Sequence, residues 1–531
     1  MSETNKTNKS KKTKTNKSKK INDANNTNKL GIFIFRRDLR FEDNRGLNRI
    51  SEQCDEILPI FIFDSAQVDL NNNTKNYISF PALRFICEGV KNLDDRIRKI
   101  SVQNESKLFV FYGNPLKVLE YVIGQIKKVS DYKQKEIVLG FNADYTSYSL
   151  VRDKQIENYC AQNQIELVVN HDDYVLTKME NMLRDPETNT PYKQYGAFKK
   201  NILKHKKDFL KPIYKKFNWA KKSLNTIFDK KILTSDEIDD FWEGHLDKSY
   251  EPVEIGTRNF GLDIINNLNK FKTYNTNRDT LAYNTTRISA YLNFGIVSER
   301  EFYWGLISKL GENTQLVSQI FWREYYLCML RYCDGANLYN KSIDSRYDKL
   351  KWINKVPSTN SSVWKEWKAM MSSQTGFLLV DACIRELVLT GYMHNRGRLI
   401  VGAFATKYLG INPLCRYVGL NDWFSRHLVD CITSQNKLNA QWITELDFPG
   451  KKFAPSNAPI AGRPMNISNT MIKKWDPTCA YIKKWLPHLA NIDNKILIGW
   501  DTKYDTNIHP KPIFDPKQRY AEWIKLCTGI K

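Results

Sequence analysis

The chain has 531 residues, of which 41% are hydrophobic and 26% charged, room for two or three domains with a sizeable core; this excludes a small module, a wholly disordered chain and a fibre. Its 81 Lys+Arg against 58 Asp+Glu leave a net charge of +23, an excess that favours a polyanionic partner. No uncharged apolar run approaches the roughly 18 residues of a membrane span, and no apolar stretch follows the N-terminal lysines, so the expectation is an intracellular protein of nucleus or cytoplasm, with no membrane partner.

Residues 1–29 hold nine lysines against Glu3 and Asp23, leaving +16 for the rest, and read as a disordered Lys/Asn-rich tail. Lys11-Lys12 and Lys19-Lys20 suit nuclear import or a phosphate-attracting arm, but a solubilising low-complexity extension is the favoured reading. From Leu30, apolar runs at Leu30–Phe35, Ile57–Phe63, Leu108–Tyr112, Ile137–Leu139 and Ile165–Val169 predict strands. Helical periodicity falls between them at Pro81–Ile100, Pro115–Val129 and Leu150–Gln162. The alternation predicts an α/β domain over 30–170 with a doubly wound parallel sheet. No G-x-G-x-x-G follows its first strand and no P-loop motif occurs, which excludes an ordinary dinucleotide fingerprint and a P-loop nucleotidase.

All 13 tryptophans lie at Trp219 or later, so a different domain is expected beyond residue 170. Residues 171–255, Lys-rich and broken by Pro186, Pro191, Pro212 and Pro252, read as a wrapping interdomain connection. A larger all-α domain is predicted for 256–531, with a capping box at Ser298 and Glu301 ahead of Phe302–Leu310. Further helices are expected at Gln315–Arg331, Phe377–Thr390, His394–Tyr408 and Asp422–Ser434. Ten scattered cysteines with no C-x-x-C pair argue for reduced thiols, and seven histidines without ligand spacing argue against a metal site.

Three stretches carry chemistry. Tyr274 and Arg278, then Asn284 to Ser289, put hydroxyls and free backbone N–H groups at a loop-to-helix start, which suits a phosphate; plain N-capping by Thr285 or Thr286 is the alternative. Gln319 to Tyr326 places Trp322 with Tyr326, and Gln319 with Arg323, on common helix faces, an arrangement able to stack a base or fill a core. In Gly391 to Arg398, Arg396 is expected to pair with Asp430, and Gly397 signals close approach of another group.

Arg36-Arg37-Asp38-Leu39-Arg40 with Asp43-Asn44, Phe141-Asn142-x-Asp144-Tyr145-Thr146, Thr285 to Ser289, Trp322-Arg323-Glu324, Thr375-Gly376 with Val380-Asp381-Ala382, and Met393-His394-Asn395-Arg396 together resemble the photolyase/cryptochrome family, most closely class I deoxyribodipyrimidine photolyases. The order and spacing match over residues 30–490. The resemblance implies a monomer that binds FAD in its helical domain and splits a cyclobutane pyrimidine dimer, flipped out of UV-damaged DNA, by light-driven electron transfer. It also implies room for a second, antenna chromophore of folate or deazaflavin type. By resemblance, Tyr274, Thr285, Thr286, Arg287, Ile288 and Ser289 hold the phosphates and ribityl chain, Arg396 and Asp430 flank the isoalloxazine ring, and Asn436 faces flavin N5. Arg278, Gln319, Trp322, Arg323, Tyr326 and Asn395 match the DNA and lesion side, with Asn436, Trp322, Asn395 and Gln319 implied as catalytic.

The sequence also departs from that pattern. Gln319 stands where cyclobutane-dimer enzymes usually carry glutamate, while Asn395 and Leu399 replace the two histidines on which six-four repair depends. Of the tryptophan chain that reduces the family's flavin, Trp352 matches the outermost member, Tyr417 or Pro413 the middle one, and Ala440 replaces the inner one, with Trp442 or Trp423 as substitutes. Asn436 favours repair; a cryptochrome-like photoreceptor, including the DASH type, and a six-four photolyase are the alternatives.

Overall fold

The computed structural model describes residues 28–68, 79–182, 184–185, 189, 192, 194–228, 237–238, 250–332, 350–353, 355–415, 419–432, 435–436, 466–468 and 470–528. Strands β1 (Lys29–Phe35), β2 (Glu56–Asp64), β3 (Phe109–Gly113), β4 (Glu136–Asn142) and β5 (Glu166–Asn170) form one sheet in the order β3-β2-β1-β4-β5. Every pairing is parallel. Helices α1 (Arg45–Ser51), α2 (Phe80–Ile100), α3 (Pro115–Ile126) and α4 (Ser147–Gln162) make the crossovers. Side chains alternate across β1: Ile32 and Ile34 pack with α3 and α4, whereas Phe33 and Phe35 pack with α2. A sheet covered on both faces explains why its strands read as unbroken apolar runs.

The connection is more ordered than a wrapping loop. It contains α5 (Tyr195–Lys204), whose Phe198, Asn201 and Ile202 are buried. Further on, Ile57 N–H donates to the Asn218 carbonyl and Ala220 N–H to the Ile57 carbonyl, both at 2.8 Å, so Trp219 lies buried alongside the start of β2. Prolines and lysines hid these elements, because the apolar residues that anchor them are spaced singly.

Beyond lie α6 (Arg258–Asn266), α7 (Tyr274–Asn277), α8 (Ser289–Asn293), α9 (Glu299–Leu310), α10 (Gln315–Tyr332), α11 (Ser362–Met371), α12 (Leu378–Thr390), α13 (Asn395–Ala403), α14 (Leu420–His427), α15 (Thr470–Trp475), α16 (Ala480–Trp485), α17 (Asn494–Ile498) and α18 (Pro516–Thr528). The capping box of α9 is present in both directions. The helix expected over His394–Tyr408 instead changes pitch: α13 gives way to a π-helical turn, Phe404–Tyr408, with Leu409 N–H reaching the Phe404 carbonyl and Thr406 Oγ1 bonded to the Gly402 carbonyl. Likewise α14 stops at His427, because Leu428 is extended and Val429 N–H donates to the Gly391 carbonyl at 2.8 Å. Asp430 therefore sits beyond the helix on a stretch tied to the end of α12.

A buried charge cluster joins sheet and helices. Arg300 of α9 donates to Asp43 Oδ2 at 2.7 Å and to the carbonyls of Asp43, Asp173 and Val175 at 2.9, 2.8 and 2.9 Å. Arg40 donates to Asp173 at 2.9 Å and to the Gly295 carbonyl at 3.0 Å. All four charged side chains are fully buried. Removing one partner strands a buried charge, so Arg300→Met lowers unfolding stability by about 3–5 kcal/mol, read from urea denaturation, whereas an exposed control such as Lys117→Met shifts it by about 0.5 kcal/mol or less.

Candidate active site

A cavity of about 520 Å³ in the helical half lies between α7, α8, α10 and α13. Its lining brings together Tyr274, Arg278, Thr285, Thr286, Arg287, Ile288, Ser289, Gln319, Trp322, Arg323, Tyr326, Asn395, Arg396 and Asp430, residues separated by up to 156 positions in the chain. Its size is that of an ordinary cofactor or ligand site.

Thr285 and Thr286 do not cap a helix. The cap of α8 is Ile288, without a side-chain bond, and Thr285 Oγ1 instead bonds the Tyr392 hydroxyl at 2.9 Å. Arg287 adopts φ +51°, a left-handed conformation costly for a non-glycine residue, and is held there by Glu254 at 3.2 Å, Glu386 at 3.6 Å and the Tyr392 ring at 4.3 Å. The loop thus presents its hydroxyls and guanidinium to the cavity from a fixed backbone.

The expected Arg396–Asp430 pair is replaced. Arg398 Nη2 donates to both carboxylate oxygens of Asp430, at 3.0 and 2.9 Å, and Ser289 Oγ donates to the same carboxylate at 2.7 Å. Arg396 turns to Asp279, with Nε at 2.9 Å, and lies over the Trp475 ring at 5.1 Å. Residues two apart on a helix point about 200° apart, so of the two arginines flanking Gly397 one alone can reach Asp430. Gly397 has the close neighbour expected of it: a Cβ there would meet Cys383 Sγ of α12 at 2.8 Å.

Asn436 is also displaced from its expected place. Its Nδ2 donates to Cys431 Sγ at 2.7 Å, and both residues line a second cavity; Gln435 occupies the first. Arg323 is buried and committed to Glu299 at 2.5 Å and to the carbonyls of Tyr174 and Leu292 at 3.2 and 3.1 Å, which takes it out of the set able to reach DNA. Tyr326 is buried as well. Gln319 and Asn395 are exposed at the rim, and Trp322 is partly exposed there. Trp352, matched to the outermost member of the tryptophan chain, is buried against Trp523 of α18, with ring centroids 5.2 Å apart. Tyr417 and Trp442 lie outside the described residues.

Sequence reading missed Arg398, Tyr392, His394 and Tyr195. His394 Nδ1 accepts the Arg396 backbone N–H at 3.1 Å, which places the ring proton on Nε2, a buried atom with no partner among the described residues. Burial, reinforced by Arg396 and Arg398, pushes its pKa down to about 4, so the ring stays a neutral donor at the cavity wall. An orphaned buried donor beside a hydroxyl-rich loop fits a polar, phosphate-bearing cofactor.

The second cavity, about 160 Å³, sits at the carboxyl ends of β1, β2 and β4, lined by Arg36, Asp64, Asn142, Asp144 and Arg152 with apolar Phe61, Phe63 and Phe294. Arg36 stacks on Phe141 at 3.9 Å and pairs with Asp153 at 3.0 Å.

Comparison with known proteins places the chain in a family. A family model described as the FAD binding domain of DNA photolyase matches residues 316–528, and the DNA photolyase model matches residues 32–215. The chain belongs to the photolyase/cryptochrome family. It is 24% identical to the deoxyribodipyrimidine photo-lyase of Buchnera aphidicola subsp. Baizongia pistaciae, across 91% of this chain and 94% of the relative. It is also 24% identical to the cryptochrome DASH of Danio rerio, across 87% and 84%. An archaeal photolyase from Sulfolobus tokodaii, whose crystal structure contains two FAD molecules, superposes with a TM-score of 0.75 at 27% identity, covering 94% of this chain and all of that one. FAD is the cofactor of this helical domain. No helix among the described residues is long and apolar enough to cross a membrane.

Two outcomes follow. Arg398→Met, which strands Asp430, lowers FAD affinity at least tenfold (about 1.4 kcal/mol) in a flavin-fluorescence titration, whereas Arg396→Met changes it less than about threefold. His394 is held neutral, with a folded pKa below its ordinary 6.5, so its contribution to stability is complete above pH 6.5 and is lost as pH falls towards about 4. The drop in melting temperature between pH 7 and pH 4.5 is therefore smaller in His394→Gln than in the parent.

Proposed function

We propose that this chain is a light-driven DNA repair enzyme that splits cyclobutane pyrimidine dimers. One observation carries the reading: a partly exposed aromatic wall, Trp322 backed by Tyr326 at 5.6 Å, stands at the mouth of the cavity lined by the FAD-domain loop, with Arg278, Gln319 and Asn395 on its rim. The repair-class enzymes among its relatives support the same assignment.

When bound and reduced, the flavin supplies an excited electron. The chain does the rest. Trp322, backed by the buried Tyr326, offers an apolar surface to a base taken out of the stack, and damaged bases, already poorly paired, cost least to extrude. Gln319 and Asn395, uncharged donors at the rim, address the polar edges of the lesion. Asp430, clamped by Arg398 and Ser289, and neutral His394 fix the cofactor side. Asn395 and Leu399 stand where six-four repair needs histidines, which is why the cyclobutane dimer is favoured. The second cavity would hold the antenna chromophore, its arginines and Asn142 meeting polar groups and Phe61, Phe63 and Phe294 the rings.

A photoreceptor function of the cryptochrome type is the second reading, favoured by Ala440 in the tryptophan chain and by the DASH relative.

Dithionite-reduced protein, illuminated with blue light on a dimer-containing oligonucleotide, restores intact thymines, and the dark control does not. Absence of repair with fully reduced flavin bound sinks the proposal. In the same series Trp322→Ala weakens binding to dimer-containing DNA by about 1–3 kcal/mol, the worth of one stacked base, and leaves undamaged DNA nearly unaffected.

A further inference from the structure

We propose that α5 and the lysine-rich chain after it form a strip of DNA surface that tracks the phosphates flanking the lesion. The inference rests on the DNA-repair reading above and names the part of the partner that this connection meets.

The strip is fixed to the cavity mouth. α5 runs antiparallel to α10: Tyr195 lies flat on Trp322, with centroids 3.6 Å apart and planes at 7°, Lys199 Nζ donates to Ser318 Oγ at 3.1 Å, and beyond α5 Lys206 pairs with Glu312. The Tyr195 hydroxyl also donates to the Ser318 carbonyl at 3.0 Å. On α10 the residues turned to the cavity are Gln319, Arg323 and Tyr326, and those turned to α5 are Ser318 and Tyr325, with Trp322 shared by both sides. The solvent-facing ridge of α10 is thus flanked by the cavity on one side and α5 on the other. A strand whose base enters the cavity past Trp322 must leave its neighbouring phosphates along this ridge or over one of its flanks.

The charge fits that path. Residues 195–216 hold eight lysines against Asp208, a net +7. Lys206 and Lys215 pair with Glu312 and Glu52, and Lys211 lies over the Trp304 ring. Lys200, Lys204 and Lys207 are exposed, and none has an acidic partner among the described residues. A surface kept merely soluble carries evenly interspersed signs, whereas this one is strongly biased to positive charge, with Asp208 the one acidic residue among its eight lysines. From Lys200 to Lys207 the chain advances roughly 10 Å, the axial length occupied by about three phosphates of one strand.

The experiment is fluorescence anisotropy of the FAD-loaded protein on a dimer-containing duplex of about 20 base pairs, repeated over a salt series. Each phosphate neutralised contributes roughly 0.9 to the slope of log K against log[salt]. The Lys200→Gln/Lys204→Gln/Lys207→Gln triple variant reduces the slope by about 2–3 and weakens damaged and undamaged duplexes by the same factor. A control replacing Lys127, Lys128 and Lys133, exposed after α3, leaves the slope within about 0.5 of the parent. Retained flavin absorbance verifies that each variant is folded. A triple variant with the parental slope overturns the strip while parental photorepair leaves the enzyme assignment standing. A parent protein that neither repairs nor prefers damaged DNA overturns the assignment and the strip together.

Discussion

The geometry of this protein depends on four charges taken out of water. Arg40, Asp43, Asp173 and Arg300 come from the end of β1, the turn before α1, the chain after β5 and the first turn of α9. Ions in a low-dielectric interior are tolerated only when their hydrogen-bonding capacity is closely matched. Arg300 meets that condition with two carbonyls after β5 besides Asp43, and Arg40 with the Gly295 carbonyl besides Asp173. A network of this kind adds little to stability over a well-packed apolar core. What it fixes is orientation, because a shift of the sheet against α9 would part Arg300 from Asp43 and from the carbonyls of Asp173 and Val175. The rigid base so created carries α8 and α10, and through them the loop and the aromatic wall of the large cavity.

Much of this was legible because the motifs are constrained by packing as well as by chemistry. The five strands and their crossovers announce themselves by period and by β-branched and aromatic content. The motif residues divide differently. In Trp322-Arg323-Glu324, the tryptophan alone reaches the cavity mouth from a partly exposed position; Arg323 binds interdomain carbonyls, and Glu324 accepts the Leu176 N–H at 2.7 Å. Asp381 is similar: it receives Thr375 N–H and Oγ1, Gly376 N–H and His509, so it holds the turn before α12 closed. Gly376, at φ +73°, lies so close to Lys511 that a Cβ would meet its backbone at 2.2 Å. Residues that identify a family are often those that hold its elements together.

What escaped the sequence is side-chain direction where regular structure breaks. Arg396 and Arg398 are chemically identical, and nothing in a string of letters says which of them faces Asp430 until the phase of α13 is fixed by its His394 cap. Tyr195 was invisible for another reason. It lies in a segment dominated by lysines and prolines, 127 residues from the tryptophan on which it stacks, and stacking across that distance leaves no periodicity to find.

The same argument accounts for Asn436. Beyond α14 Leu428 is extended, Val429 and Asp430 make a turn, and Asn436 N–H donates to the Ile432 carbonyl at 2.8 Å, so the chain changes direction within a few residues. Asp430 and Ile432 line the large cavity and Cys431 the small one. Further along, Gln435 lines the large cavity and Asn436 the small one, where the Asn436 amide donates to Cys431 Sγ. With Asn293 and Phe294 on one side and Ser289 and Leu292 on the other, a single layer of chain separates the two cavities. Burial pushes the Cys431 thiol up to about 11, so it stays neutral in that partition. The stretch is anchored by the Arg398–Asp430 clamp and by the hydrogen bond from Val429 to Gly391 beside it. The segment that carries the clamped carboxylate thus borders both sites, which ties the cofactor face of the helical domain to the pocket at the carboxyl ends of the sheet.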